Sequence, residues 1–209
     1  MNEIKDKSIQ EFLDELASKS ATPGGGSVAA VMGAQAAALV SMVCNLTIGK
    51  PQYAEVELQI QALLEKSEAL RGTLIGLIKA DVDVFNRVML AYGLPKATDD
   101  EKTARSLAIQ AILKEATEVP LMCARACREA VDLSRCAAEI GNLGVISDAG
   151  AAVIAAYGGL KTAALNVYIN TNSLKDKPFA DAKVAELEAI LSGTEELVEQ
   201  TYQLVKNKL

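Results

Sequence analysis

Apolar positions repeat at intervals of three and four along nearly the whole chain, the spacing of helices that bury one face. Ser8 and Glu11 have the spacing of a capping box, and Ile9, Phe12, Leu13 and Leu16 follow at helical intervals, which predicts a first short helix ending near Lys19. From Ser20 to Gly49 no charged residue occurs. Length alone permits a membrane span there. Gln35, Ser41, Asn45 and Thr47, with many alanines and few large aliphatics, predict instead a helix buried on all sides in a bundle. Ala30, Ala34 and Ala38 form a small-residue stripe for close packing. Pro51 suits the first turn of the next helix, which should run from about Tyr53 to Tyr92 with Gly72 and Gly76 as bends. Thr98 and Glu101 form a second capping box, opening a helix to about Thr117. Pro120 then opens a helix through the cysteines to about Ile140, ended by Gly141-Asn142 and Gly144. Ser147 caps an apolar helix with Asp148 in its first turn. The run Asn166-Val167-Tyr168-Ile169-Asn170 reads locally like a strand without a partner strand, and is taken as a helix tail or extended segment. A final amphipathic helix spans about Phe179 to Lys206. The expected fold is all-α, a bundle of long and short helices in one domain over residues 1–209.

Two places break this pattern. Leu74, Leu77, Ile78, Phe85, Val88, Met89 and Tyr92 trace one apolar face of the long helix, and Asp81 falls on it. A carboxylate on a buried stripe is costly unless paired or functional. Asp83 points to the polar side, where Lys79 and Arg87 stand at i−4 and i+4, with Arg87 the expected partner. The second is Thr22-Pro23-Gly24-Gly25-Gly26-Ser27. Proline ends the preceding helix, the glycines admit close approach to the main chain, and Ser27 is placed to cap a helix opening at Val28. Such a turn is either an anion or carbonyl site at a helix start or a plain inter-helix turn. It lacks the lysine of a phosphate-binding loop, and it is not G-x-G-x-x-G.

Composition narrows the chemistry. The 209 residues are 50% hydrophobic but 4% aromatic, with no Trp, so the core must be built from Ala, Leu, Val and Ile. A net charge of −6 argues against a nucleic-acid partner. Cys44, Cys123, Cys127 and Cys136 lack the spacing of a zinc site and read as reduced, packed thiols. The first residues carry no apolar signal stretch, so a cytoplasmic protein is the default expectation. No histidine exists, so any acid–base chemistry falls to a perturbed carboxylate, Lys, Tyr or Cys.

The segments Pro23 to Ser27, Gly49-Lys50 with Tyr53, Asp81 to Phe85, Leu94 to Lys96, Val119 to Leu121, Ser147-Asp148 and Asn166 to Asn170 occur in an order that resembles the cyclodeaminase/cyclohydrolase family. The resemblance implies an all-α homodimer acting on one-carbon units carried by tetrahydrofolate, with no cofactor beyond that substrate and no metal. It implies a methenyltetrahydrofolate cyclohydrolase, or alternatively a formimidoyltetrahydrofolate cyclodeaminase that releases ammonia. It also implies that an aspartate of the D-x-D-x-F motif, Asp81 or Asp83, transfers the proton; the apolar stripe favours Asp81. Candidate substrate donors are Gly24, Gly25, Gly26, Ser27, Lys50 and Arg105, with Tyr53 stacking on a ring and Asp148, Asn166 and Asn170 bonding the pterin. A non-catalytic helical module that binds folate or a partner protein is the rival from another class.

Overall fold

The uncharged stretch after the glycine turn folds as one long helix, and three longer ones pack around it. In this computed structural model, which describes residues 3–209, the α-helices are α1 (Ile9–Leu16), α2 (Gly25–Asn45), α3 (Glu57–Tyr92), α4 (Asp99–Ile140), α5 (Ile146–Asn172), α6 (Lys177–Leu191) and α7 (Thr194–Lys206). Short 3-10 turns at Ile4–Asp6, Pro51–Val56 and Leu143–Val145 join them, and no strand occurs among the described residues. Both expected capping boxes form, at Ser8/Glu11 and Thr98/Glu101.

Ser41 of α2 bonds Ser67 of α3 across 2.8 Å, while Ser27, near the start of α2, meets Asp81. These two pairings make α2 and α3 antiparallel. Cys127 and Asn142 of the next segment lie against Ala29 and Thr47, so α4 runs with α2. α5 returns, its Asn166 beside Gly25. The four therefore alternate up and down. Alanine and glycine permit the close approach. Ala29, Ala36 and Ala37 are fully buried, and a Cβ on Gly33 would stand 2.8 Å from both Cys127 Sγ and a Leu74 methyl. The buried stripe thus differs from the expected one: Ala30 belongs to it, Ala34 is half-buried and Ala38 is exposed. A smaller cluster, Ala91, Ile109, Leu113, Leu174 and Ala180, closes the end where α3 turns into α4.

α2 and the segment Leu143–Asn172 are long and apolar enough to cross a membrane by length and composition. Each buries about half of its most apolar window against neighbouring helices, which accounts for much of that composition.

Several expected boundaries move. Pro120 lies inside α4, which runs unbroken for 42 residues. Its ring is buried, and the carbonyl of Ala116, four residues back, accepts a bond from Asn170 Nδ2 at 2.6 Å. Asn166 to Asn170 is helical; burial of Val167 overrides the strand propensity of its β-branched neighbours. Ser147 caps nothing, since α5 already begins at Ile146 and the preceding turn is capped by Asn142. The expected last helix is two, parted at Ser192-Gly193, where Gly193 takes φ 69°. Cys44, Cys123 and Cys127 are buried as expected, but Cys136 is exposed.

Candidate active site

Asp81 stands one turn beyond the buried Leu77 and Ile78 on α3, and its carboxylate rests directly on the first turn of α2. A Cβ on Gly26 would lie 2.0 Å from Asp81 Oδ1, so no side chain fits at that position. Ser27 Oγ donates to Asp81 Oδ2 at 2.9 Å. Ser27 is wholly buried and is the third residue of α2, whose cap is Gly24 in extended conformation with no side-chain bond. The expectation that Ser27 caps a helix at Val28 is thereby corrected. Because the helix already begins at Gly25, Ser27 lies within its first turn, and its hydroxyl bonds across to α3. The anion that the glycine turn accommodates is the chain's own.

Burial pushes the Asp81 carboxyl above the ordinary carboxylate range, while the Ser27 hydroxyl and main-chain N–H draw it partly back. The positive end of α2 acts in the same direction as Ser27. Asp83 is exposed and pairs with Lys79. Arg87, expected to pair with Asp83, instead grips Glu115 of α4 at 2.6 and 3.1 Å. The two aspartates thus sit in opposite environments.

Behind Asp81 lies a small, mainly apolar cavity of about 10 Å³, at the lower limit for one water and short of the polar partners that would hold it, walled by Val119, Pro120, Cys123 and Ala163 among others. Nearby on α3, a groove of about 610 Å³ that Asp81 itself does not line runs past Thr22, Pro23, Val82 and Asp83 and under Lys7 and Glu15, which form an ion pair. It is large enough for an organic ligand.

The remaining candidates divide. Asn166 joins this end: its amide lies 3.6 Å from where a Gly25 Cβ would be, with Nδ2 bonded to the Thr162 carbonyl and Oδ1 left as an acceptor. Gly25 and Gly26 open α2, so their N–H groups have no partner within the helix. Asn170 is on the same end of α5 but its donor goes to Ala116. Arg105 is not brought to Asp81. Its guanidinium donates twice to the Tyr92 carbonyl, at 2.9 and 3.2 Å, and lies over the Tyr92 ring, tying α4 to the end of α3. Lys50, Tyr53 and Asp148 lie toward the opposite end of the bundle, the length of α2 away, about 30 Å for its 21 residues. There the Tyr53 hydroxyl accepts from the Leu143 N–H at 2.9 Å, pinning the turn between α4 and α5. Sequence reasoning missed Pro120 and Cys123 as walls of the cavity. The one signal was an internal proline flanked by apolar residues on the face that continues through Cys123 and Cys127. Among the described residues no cluster of three or more His, Cys, Asp or Glu is placed to hold a metal ion.

A sequence profile of the formiminotransferase-cyclodeaminase family matches residues 8–189. A methenyltetrahydrofolate cyclohydrolase from Methylorubrum extorquens is 57% identical over 203 residues, covering 97% of this chain and 98% of that protein. The formimidoyltransferase-cyclodeaminase of Rattus norvegicus is 34% identical over 188 residues, 90% of this chain but 35% of that protein. This chain therefore spans about a third of the rat relative's length. The crystal structure of formiminotetrahydrofolate cyclodeaminase from Thermotoga maritima superposes with a TM-score of 0.83 at 34% identity, over 99% of this chain and 98% of that one.

Proposed function

The chain belongs to the formiminotransferase-cyclodeaminase family, and we propose that it is a methenyltetrahydrofolate cyclohydrolase, converting 5,10-methenyltetrahydrofolate and water to 10-formyltetrahydrofolate. The similarity to the Methylorubrum enzyme over nearly both full lengths supports the activity. The observation that carries the mechanism is a half-buried carboxylate with a raised pKa, seated on a glycine and held by one serine.

The methenyl carbon lies in an amidinium and is electrophilic without further activation, so the reaction is proposed to need no metal and no cofactor beyond the folate. Asp81 takes a proton from water as the water oxygen bonds to that carbon. It then delivers the proton to N5 as the carbon–N5 bond breaks. The hydroxyl proton of the adduct leaves to solvent, and the carbon remains on N10 as a formyl group. One proton is released overall. A raised pKa suits a group that must be base and then acid near neutrality. Ser27 orients the carboxylate, and the Gly25 and Gly26 N–H groups with Asn166 Oδ1 offer the pterin two donors and an acceptor at the same mouth.

Formimidoyltetrahydrofolate cyclodeamination is the second reading, favoured by the name of the Thermotoga structure, which matches this chain end to end. An assay of both substrates side by side, with ammonia measured, decides between them. Turnover of the methenyl compound faster than in buffer, lost in Asp81→Asn, is the expected result. Ammonia release as the faster reaction transfers the assignment to the deaminase; tight folate binding with no turnover of either substrate makes the chain a binding module.

A homodimer is part of the proposal, supported by the exposed uncharged positions Ala38 and Met42 on α2, Leu46 just past its end, and Ile154 and Leu165 on α5. A cytoplasmic site of action agrees with four unpaired cysteines.

A further inference from the structure

Pro120 has no N–H, so the Ala116 carbonyl loses its helical partner in the middle of α4. A buried carbonyl left unmatched is costly, and the bond it accepts comes from another helix: Asn170 Nδ2 of α5, at 2.6 Å. In the same stretch Thr117 Oγ1 donates to the Leu113 carbonyl at 2.8 Å, a back-bond that bends helices. The turn so shaped is the one whose Val119 and Pro120, with Cys123 one turn on, wall the cavity behind Asp81.

We propose that Asn170 is a positioning residue for Asp81: by bonding the carbonyl that Pro120 leaves free, it holds the Pro120 turn of α4 against the Asp81 carboxylate and keeps that side dry. It rests on the assignment of Asp81 as proton carrier. The groups facing Asp81 are neutral on the elements packed there: the Ser27 hydroxyl from α2, the Cys123 thiol from α4 and the Ala163 methyl from α5. On α3 itself Lys79 and Asp83 pair with each other, Lys7 pairs with Glu15 across the groove, and Glu118 of α4 pairs with Lys183. The apolar wall is therefore the main control on how wet the carboxylate is.

The test is a double-mutant cycle on the full-length protein. Asn170→Ala should move the acid limb of kcat/KM to lower pH by about one unit, a roughly tenfold change in the ionised fraction there, and lower the plateau several-fold. Pro120→Ala restores an N–H for the Ala116 carbonyl. Adding Asn170→Ala to it should produce no further shift. Titration of Asp81 by carboxyl carbon NMR in the same variants reads the proposal without turnover, so it stands or falls separately from the assignment of the reaction. A limb and a carboxyl titration unchanged in Asn170→Ala overturn it. So does a rise in KM alone that persists in the Pro120→Ala background, because that is the signature of a residue touching substrate. Should Asn170→Ala fail to fold, the Pro120→Ala single variant and the double variant still decide: equal carboxyl titrations uphold the proposal and unequal ones overturn it.

Discussion

A single hydrogen atom at position 26 determines where the Asp81 carboxylate, the proposed proton carrier, can lie. With 2.0 Å between Asp81 Oδ1 and the place a Cβ would occupy, Gly26→Ala must expel the carboxylate from its seat. The expected outcome is a loss of kcat of roughly a hundredfold or more, since a displaced general base forfeits the usual gain from acid–base catalysis, with an unchanged helical circular dichroism spectrum. Ser27 draws the Asp81 pKa down, so Ser27→Ala should move the acid limb of the rate to higher pH, opposite to the shift expected of Asn170→Ala. A downward shift in Ser27→Ala would contradict the assigned bond. Asp81 also carries a stability signature. Its folded pKa exceeds the ordinary value near 3.9, so the folded state holds the proton more tightly than the unfolded one. Its contribution to stability is thus full below the unfolded pKa and is lost as pH rises through the folded one. Asp81→Asn should therefore melt at or above the wild-type temperature at pH 7, and the advantage should vanish near pH 4, as followed by thermal denaturation.

At the scale of elements, close packing of α2 depends on residues too small to be seen as a core in a hydropathy trace. Gly33→Ala brings a methyl 2.8 Å from both Cys127 Sγ and Leu74, and should cost about 1–3 kcal/mol in urea unfolding. The helix order, both capping boxes and the contrast between Asp81 and Asp83 were legible in the sequence, because period, caps and charge on an apolar stripe are local signals. What was not legible depends on partners far along the chain. Pro120 reads as a helix start until Asn170, 50 positions later, is known to satisfy the carbonyl it frees. Ser27 reads as a cap until α2 is seen to begin at Gly25 and its hydroxyl to bond Asp81, 54 positions on. Tyr53, Lys50 and Asp148 entered as candidates through a family resemblance, and no local pattern separates the two ends of an antiparallel bundle. Gly193 gave no warning of parting α6 from α7 because a lone glycine is also tolerated within helices.

For the whole molecule, the proposed dimer predicts that a charge on the bare outer face of α2 is harmful where a charge elsewhere on the surface is not. Met42→Glu should halve the mass measured by light scattering at micromolar concentration, while Leu58→Glu, at a still more exposed apolar site on α3, should leave it unchanged. Equal masses for both variants would exclude that face. The uneven placement of the thiols has a practical outcome. Three are sealed inside, and Cys136 alone opens to solvent, with its pKa raised by burial and by Glu139 and Asp132 nearby. A maleimide dye applied at mildly alkaline pH will therefore tag one position, giving a native reporter for fluorescence anisotropy without any engineered handle.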